Sequence, residues 1–88
     1  MNVIYTKTIT KDVRKIKDKK LADKLTAIIQ QLKTASSLEE VQQLKKLKGH
    51  PAAYRIRVGD YRLGFYYEEN TVILARMVKR SDIYKLFP

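Results

Sequence analysis

The sequence predicts an α+β domain: a small antiparallel β-sheet with two N-terminal helices packed on one face and a short C-terminal helix. Three observations carry this reading. Tyr54 to Phe65 alternates apolar with basic residues about Gly59-Asp60, a strong short hairpin signal. The alternation continues through Tyr61–Glu68 and Thr71–Lys79 on either side of Glu69-Asn70, adding a third strand. Leu21, Leu25, Ile28, Ile29 and Leu32 recur three and four residues apart, which is the buried stripe of a helix packed on a sheet.

The remaining elements follow in chain order. Val3-Ile4-Tyr5 reads as a short first strand. Thr10 is the expected N-cap of a first helix whose apolar side holds Val13 and Ile16. The second helix is expected over Asp18 to Thr34, with Lys19, Lys20, Lys24 and Lys33 on its solvated side. Ser37 and Glu40 make a capping-box pattern before Val41 and Leu44, implying one short helical turn. Leu44 to Pro51 then leads into the hairpin, punctuated by Gly49 and Pro51. Ser81-Asp82 starts the terminal helix, with Ile83, Leu86 and Phe87 as its buried side. No linker, repeat or low-complexity segment divides the chain, so residues 1–88 are expected to form one domain.

Arg76 resists this register. A two-residue turn at Glu69-Asn70 sets it opposite Leu63, on the core face, where an unpaired arginine is very costly. Three resolutions stand open: a longer turn, a bulge, or emergence at an edge beside an acid.

Composition narrows the functional classes. With 44% apolar and 32% charged residues the chain should fold rather than stay disordered. It has no cysteine, hence neither a disulfide framework nor a thiolate zinc site. No segment has the apolar length of a signal peptide or a membrane span, so the expected location is cytoplasmic, with no membrane partner. The net charge of +10 points to an anionic partner. The basic residues are also segregated by type: lysines dominate up to Lys48, while five of the six arginines follow residue 54. A planar guanidinium on a strand suits phosphate recognition better than a mobile lysine on a helix.

Hairpin geometry concentrates that signal. A two-residue loop pairs Val58 with Tyr61 and sets Arg57 directly across from Arg62, with Arg55 on the same face. Like charges directly opposite each other destabilise a strand pair, so a fold that keeps them is expected to hold an anion there. The plainer reading of Arg55 and Arg57 is as exposed-strand charges that limit aggregation.

Three segments resemble the RelE/ParE superfamily of toxins from toxin–antitoxin pairs: Leu47-Lys48-Gly49-His50-Pro51, then Tyr54 to Arg62, then Val78-Lys79-Arg80-Ser81-Asp82-Ile83-Tyr84. The resemblance implies a RelE-like microbial RNase-type fold over nearly the whole chain. It also implies one of two activities, ribosome-dependent cleavage of messenger RNA or non-catalytic poisoning of DNA gyrase. Basic residues before the hairpin, an arginine after it, an arginine after the last strand and a tyrosine in the terminal helix fill the RelE-like pattern at Arg55, Arg57, Arg62, Arg80 and Tyr84. This favours a ribosome-dependent endoribonuclease, the toxin of a type II toxin–antitoxin system. Its alternatives are a ParE-like gyrase inhibitor and an inactive RNA-binding relative. Family nucleases often carry lysines where Arg55 and Arg57 stand and a glycine where Val78 stands. Because an arginine effectively cannot lose its proton, Arg55 and Arg57 are expected to bind phosphate rather than act as a base. The implied partners are a cognate antitoxin, the ribosome and messenger RNA, with no small-molecule cofactor and no metal.

The chemistry expected of these residues is attack by a 2′-hydroxyl on the adjacent phosphorus. One histidine, His50, and no carboxylate in the arginine-bearing strands leave no ordinary acid–base pair. Catalysis then rests on electrostatics and positioning. Arg62 and Arg80 would meet the scissile phosphate. Arg55, Arg57 and Lys79 would hold neighbouring phosphates. Tyr84 would stack on a base or, with a lowered pKa, take the 2′-hydroxyl proton; alternatively it is a packing residue.

Overall fold

In the computed structural model, which describes all 88 residues, β1 (Asn2–Tyr5) turns directly into α1 (Lys7–Arg14). Thr6 makes this abrupt turn possible. Its hydroxyl donates to the Leu74 carbonyl at 2.8 Å and accepts from the Ile9 N–H at 3.1 Å, so it is the N-cap. Thr10, the residue expected there, lies one turn inside the helix and donates back to the Thr6 carbonyl. The earlier start also ends α1 before Ile16, which packs against the core from the following loop.

α2 (Lys19–Thr34) agrees closely with the apolar stripe, capped by Asp18 through the Lys20 and Leu21 N–H groups. A 3₁₀ turn follows at Leu38–Glu40. The capping box is not made: Ser37 makes no side-chain cap, and the Glu40 carboxylate accepts from the Ser36 N–H, one residue before the cap. β2 (Leu44–Lys46) was not expected. Then come β3 (Ala53–Val58), β4 (Tyr61–Glu68), β5 (Thr71–Lys79) and α3 (Arg80–Leu86).

The strand order is β1-β5-β4-β3-β2. The sheet is mixed rather than purely antiparallel, because β1 pairs parallel to β5. That follows from the connection: the meander grows from β2 outwards, and its last strand arrives beside β1 running in the same direction. Both hairpin turns contain two residues. Gly59, with φ +59°, supplies the positive dihedral that the first tight turn needs, and Glu69 and Asn70 both adopt positive φ in the second.

One face of the sheet carries the main core, where Ile56, Val58, Leu63, Phe65, Val72, Leu74 and Met77 meet Ile9, Leu21, Leu25 and Leu32 of the first two helices. The opposite face carries a smaller cluster of Ala53, Ile83 and Phe87, covered by Leu47, Tyr66, Ala75 and Val78. α3 therefore packs on the side away from α1 and α2. Ile83 and Phe87, four residues apart, point inwards together. Leu86 lies on the rim and is 46% exposed, not buried as its place in the apolar pattern suggested.

Arg76 is resolved by two of the three routes left open. The turn keeps its two residues, but a bulge at Gly64/Phe65 leaves Ala75 without a partner and sets Arg76 opposite Gly64. Its guanidinium then makes a forked pair with Asp12 of α1, Nε to Oδ2 at 2.8 Å and Nη2 to Oδ1 at 3.1 Å. Asp12 is buried and also accepts the Met77 N–H, substituting for the strand partner that β5 lacks beyond the end of β1.

Candidate functional site

The face opposite α1 and α2 gathers most of the residues singled out from the sequence. Cross-strand pairing sets Arg57 directly opposite Arg62 and Arg55 opposite Gly64. Gly64 has no side chain, and Phe87, the C-cap of α3, lies in the space above it. A Cβ built there would come within 2.6 Å of the Phe87 ring. The missing side chain thus lets α3 lie flat on β4 and carry its own residues to the arginine strand.

α3 delivers two of them. Its first residue, Arg80, donates its backbone N–H to the Asp60 carbonyl at 2.9 Å, which ties the start of the helix to the hairpin turn. One turn on, Tyr84 is 64% exposed and lies beneath the Arg55 guanidinium, 4.7 Å from the ring centroid. The Arg55 cation, and after it Arg80, hold the Tyr84 phenol below the ordinary tyrosine range, because both favour the phenolate and its exposed position offers little opposing burial.

Arg62 resolves the like-charge opposition by leaning on the turn. Its Nη1 donates to the Gly59 carbonyl at 3.1 Å and the Tyr61 carbonyl at 2.8 Å. Those bonds fix the plane of the guanidinium and leave Nε and Nη2 free for an anion. The only ion pair in the molecule is Arg76–Asp12, so Arg55, Arg57, Arg62 and Arg80 have no carboxylate partner. Arg55 and Arg80 flank a phenol biased towards its anion, and Arg57 and Arg62 lie on the same face of the sheet; with no internal counter-ion, this face is suited to binding and stabilising a phosphate diester.

Other residues are placed differently. Lys79 lies opposite Tyr61 and borders a groove with Lys15 and Ile16 on the α1 side, so the structure does not bring it to the arginine face. Period-two alternation explains this: Val78, not Lys79, opposes Arg62. Arg57 also borders a cleft at the sheet edge with Lys24 and Gln43. Tyr66 shares the arginine face, but its ring packs against Phe87 (5.1 Å) and His50 (5.4 Å), a structural role. His50 accepts the Ala52 N–H through Nδ1 at 3.3 Å, which holds the loop before β3. An apolar cleft of about 290 Å³ between α1 and α2 holds no acid–base pair and lies on the other side of the sheet. No three His, Asp or Glu residues are grouped to hold a metal ion. No helix is long and apolar enough to cross a membrane.

One residue of the arginine face went unnoticed in the sequence. β2 pairs with β3 so that Lys45 lies directly opposite Arg55, on the same face. Leu44-Lys45-Lys46 carries no period-two alternation and no β-branched residue, so nothing in the sequence marks it as a strand.

Comparison with known proteins agrees with this geometry. The family model of the ParE toxin of type II toxin–antitoxin systems (parDE) matches residues 3–84. Toxin RelE3 of Methanocaldococcus jannaschii is 35% identical over 89 aligned positions, covering both chains completely. The crystal structure of a RelB–RelE antitoxin–toxin complex from Methanococcus jannaschii superposes with a TM-score of 0.82 at 33% identity, covering 97% of this chain and 99% of that one. The YoeB dimer from Staphylococcus aureus shares the fold, with a TM-score of 0.72 at 22% identity over 90% of this chain and 94% of that one.

Proposed function

Since the chain belongs to the RelE/ParE family of type II toxin–antitoxin toxins, we propose that it is a ribosome-dependent endoribonuclease that cleaves messenger RNA and so inhibits translation. The observation that carries this reading is Tyr84, its pKa lowered by Arg55 and Arg80, on a face that also carries Arg57 and Arg62, with none of the four arginines having a carboxylate partner.

Each residue takes one part of the reaction. Arg62 and Arg80 neutralise the scissile phosphate and the charge that builds on the phosphorane. Arg57 holds a neighbouring phosphate. Arg55, over the Tyr84 ring, meets the scissile phosphate from that side and keeps Tyr84 ready to take the 2′-hydroxyl proton. The site has no strong base and is open to water, so it depends on an attack-ready substrate conformation. Such positioning contributes up to ~7–11 kcal/mol in favourable cases. The decoding site of the ribosome supplies that geometry. The lysine-rich helices bind ribosomal RNA in a salt-dependent way.

The partner in the cell is a cognate antitoxin, as in the related RelB–RelE complex. Its toxin-binding segment is acidic and folds over the arginine face. Exposed Tyr84 and Leu86 are available to it; Phe87, buried over Gly64, is not. The proposed location is the cytoplasm, where ribosomes and the antitoxin are found.

The match to a ParE model supports a second reading, a gyrase inhibitor that cuts no RNA. One experiment separates the two: pure protein is added to a cell-free translation reaction and messenger RNA ends are mapped by primer extension. Cuts that require ribosomes are expected, and Arg62→Ala or Arg80→Ala should abolish them in a folded protein. Uncut messenger RNA, with plasmid linearised in the presence of gyrase, would establish the second reading.

A further inference from the structure

We propose that Lys45 is the proton donor to the leaving 5′-oxygen, a role that rests on the nuclease reading. Cleavage by a 2′-hydroxyl needs two proton transfers, and the arginines can make neither, because guanidinium stays charged at any working pH. Tyr84 accounts for one. The second group must stand on the opposite side of the phosphorus, since attacking and departing oxygens lie roughly in line.

The sheet provides that position. Arg55 has two cross-strand neighbours on its face, Gly64 on β4 and Lys45 on β2. α3 lies over Gly64 and brings Tyr84 onto Arg55 from that side. Lys45 borders Arg55 from the other side, its Cα about 4.5–5.5 Å from that of Arg55 as for any directly opposed pair. Lys45 is exposed and has no carboxylate partner. A substrate phosphate resting on Arg55 is therefore bracketed by Tyr84 and Lys45. His50, the other titratable candidate, is packed on Tyr66 at the end of the face near Ala53, beyond Phe87.

The step balances. The 2′-oxygen forms a bond to phosphorus while its proton passes to the Tyr84 phenolate. The bond from phosphorus to the 5′-oxygen breaks, its electron pair stays on that oxygen, and the Lys45 ammonium protonates it. The products are a 2′,3′-cyclic phosphate and a 5′-hydroxyl. The Lys45 amine and Tyr84 phenol then re-equilibrate with water. An alkoxide is a much stronger base than an amine, so proton transfer from an ammonium to the departing 5′-oxygen runs downhill.

The test uses messenger RNA whose cleavage site carries sulfur in place of the bridging 5′-oxygen, because a thiolate departs without an acid. Single-turnover rates on ribosomes are compared for the wild-type protein, Lys45→Met, Lys45→Arg and His50→Ala. Lys45→Met should cut the oxygen substrate ~10²–10⁴-fold more slowly and the sulfur substrate at close to the wild-type rate. Lys45→Arg, which keeps the edge charge, should behave in the same way with unchanged substrate affinity. His50→Ala should cut the oxygen substrate normally. Wild-type cutting of the oxygen substrate by Lys45→Met, or sulfur cleavage slowed as much as oxygen cleavage, overturns the assignment. So does a His50→Ala defect rescued by sulfur, which moves the role to His50. Wild-type protein that cuts neither substrate overturns the nuclease reading itself, and the Lys45 role with it.

Discussion

Gly64→Ala isolates the contact that brings α3 to the arginine strand. The added Cβ would lie 2.6 and 2.7 Å from the two nearest carbons of the Phe87 ring. Non-bonded carbons rest at about 3.5–4.0 Å, so the ring has to retreat by about 1 Å. It has little freedom to do so, being 4% exposed and packed on Tyr66 in the cluster with Ala53 and Ile83. Inserting a methyl group into a filled site costs about 1–3 kcal/mol, which in a domain this small lowers Tm by roughly 5–15 °C. Because the strain falls on α3, Tyr84 also moves away from Arg55. Thermal melting by circular dichroism reads the first effect. The titration of Tyr84, followed by NMR on a ring-carbon label, reads the second and should return towards the ordinary tyrosine value. Cleavage should fall along with the pKa change. In a Phe87→Leu background the cost of the methyl group should shrink, since the clashing ring edge is gone. Wild-type melting and an unshifted Tyr84 titration in Gly64→Ala, or additive costs in the double variant, would refute the packing explanation.

Other substitutions probe the remaining contacts. Arg62→Ala should slow cleavage ~10²–10³-fold and cost about 1 kcal/mol of stability from the lost turn bonds, measured by single-turnover cleavage and urea denaturation. Asp12→Ala should destabilise by about 3 kcal/mol, since it orphans Arg76 and the Met77 N–H together, and urea denaturation measures this directly. The pH–rate profile should rise through the Tyr84 pKa, because the base works deprotonated. Arg55 lowers that pKa, so Arg55→Ala should shift the rising limb to higher pH. Tyr84→Phe should remove that limb altogether.

The parts of the fold legible in the sequence were those encoded locally. Both tight turns, the long amphipathic helix and the opposition of Arg57 to Arg62 follow from the alternation and from turn residues within a few positions. The cap of α1 was ambiguous because Thr6, Thr8 and Thr10 are spaced alike. Only the bond from Thr6 to the Leu74 carbonyl, sixty-eight residues away, decides among them. That shift also hid Asp12, which an N-cap at Thr10 would leave in an exposed first turn, although it is buried and paired with Arg76. β2 was invisible because three residues, two of them lysines, show neither period nor β-branching, as is usual for a protected edge strand. Missing β2 meant missing Lys45. Lys79 adjoins Arg80 in the sequence, yet strand alternation places it on the other side of the sheet. The parallel pairing of β1 with β5 depends on the whole crossover and has no local signature.

The chemistry of the cut ends tests the proposed mechanism most directly. Messenger RNA cleaved by the protein on ribosomes is recovered, and its new termini are identified by enzymatic ligation and mass spectrometry. Attack by the 2′-hydroxyl leaves a 2′,3′-cyclic phosphate, or the 3′-phosphate formed by opening it, together with a 5′-hydroxyl. A 3′-hydroxyl with a 5′-phosphate would mean that water attacks instead, and would contradict the roles given to Tyr84 and the arginine face.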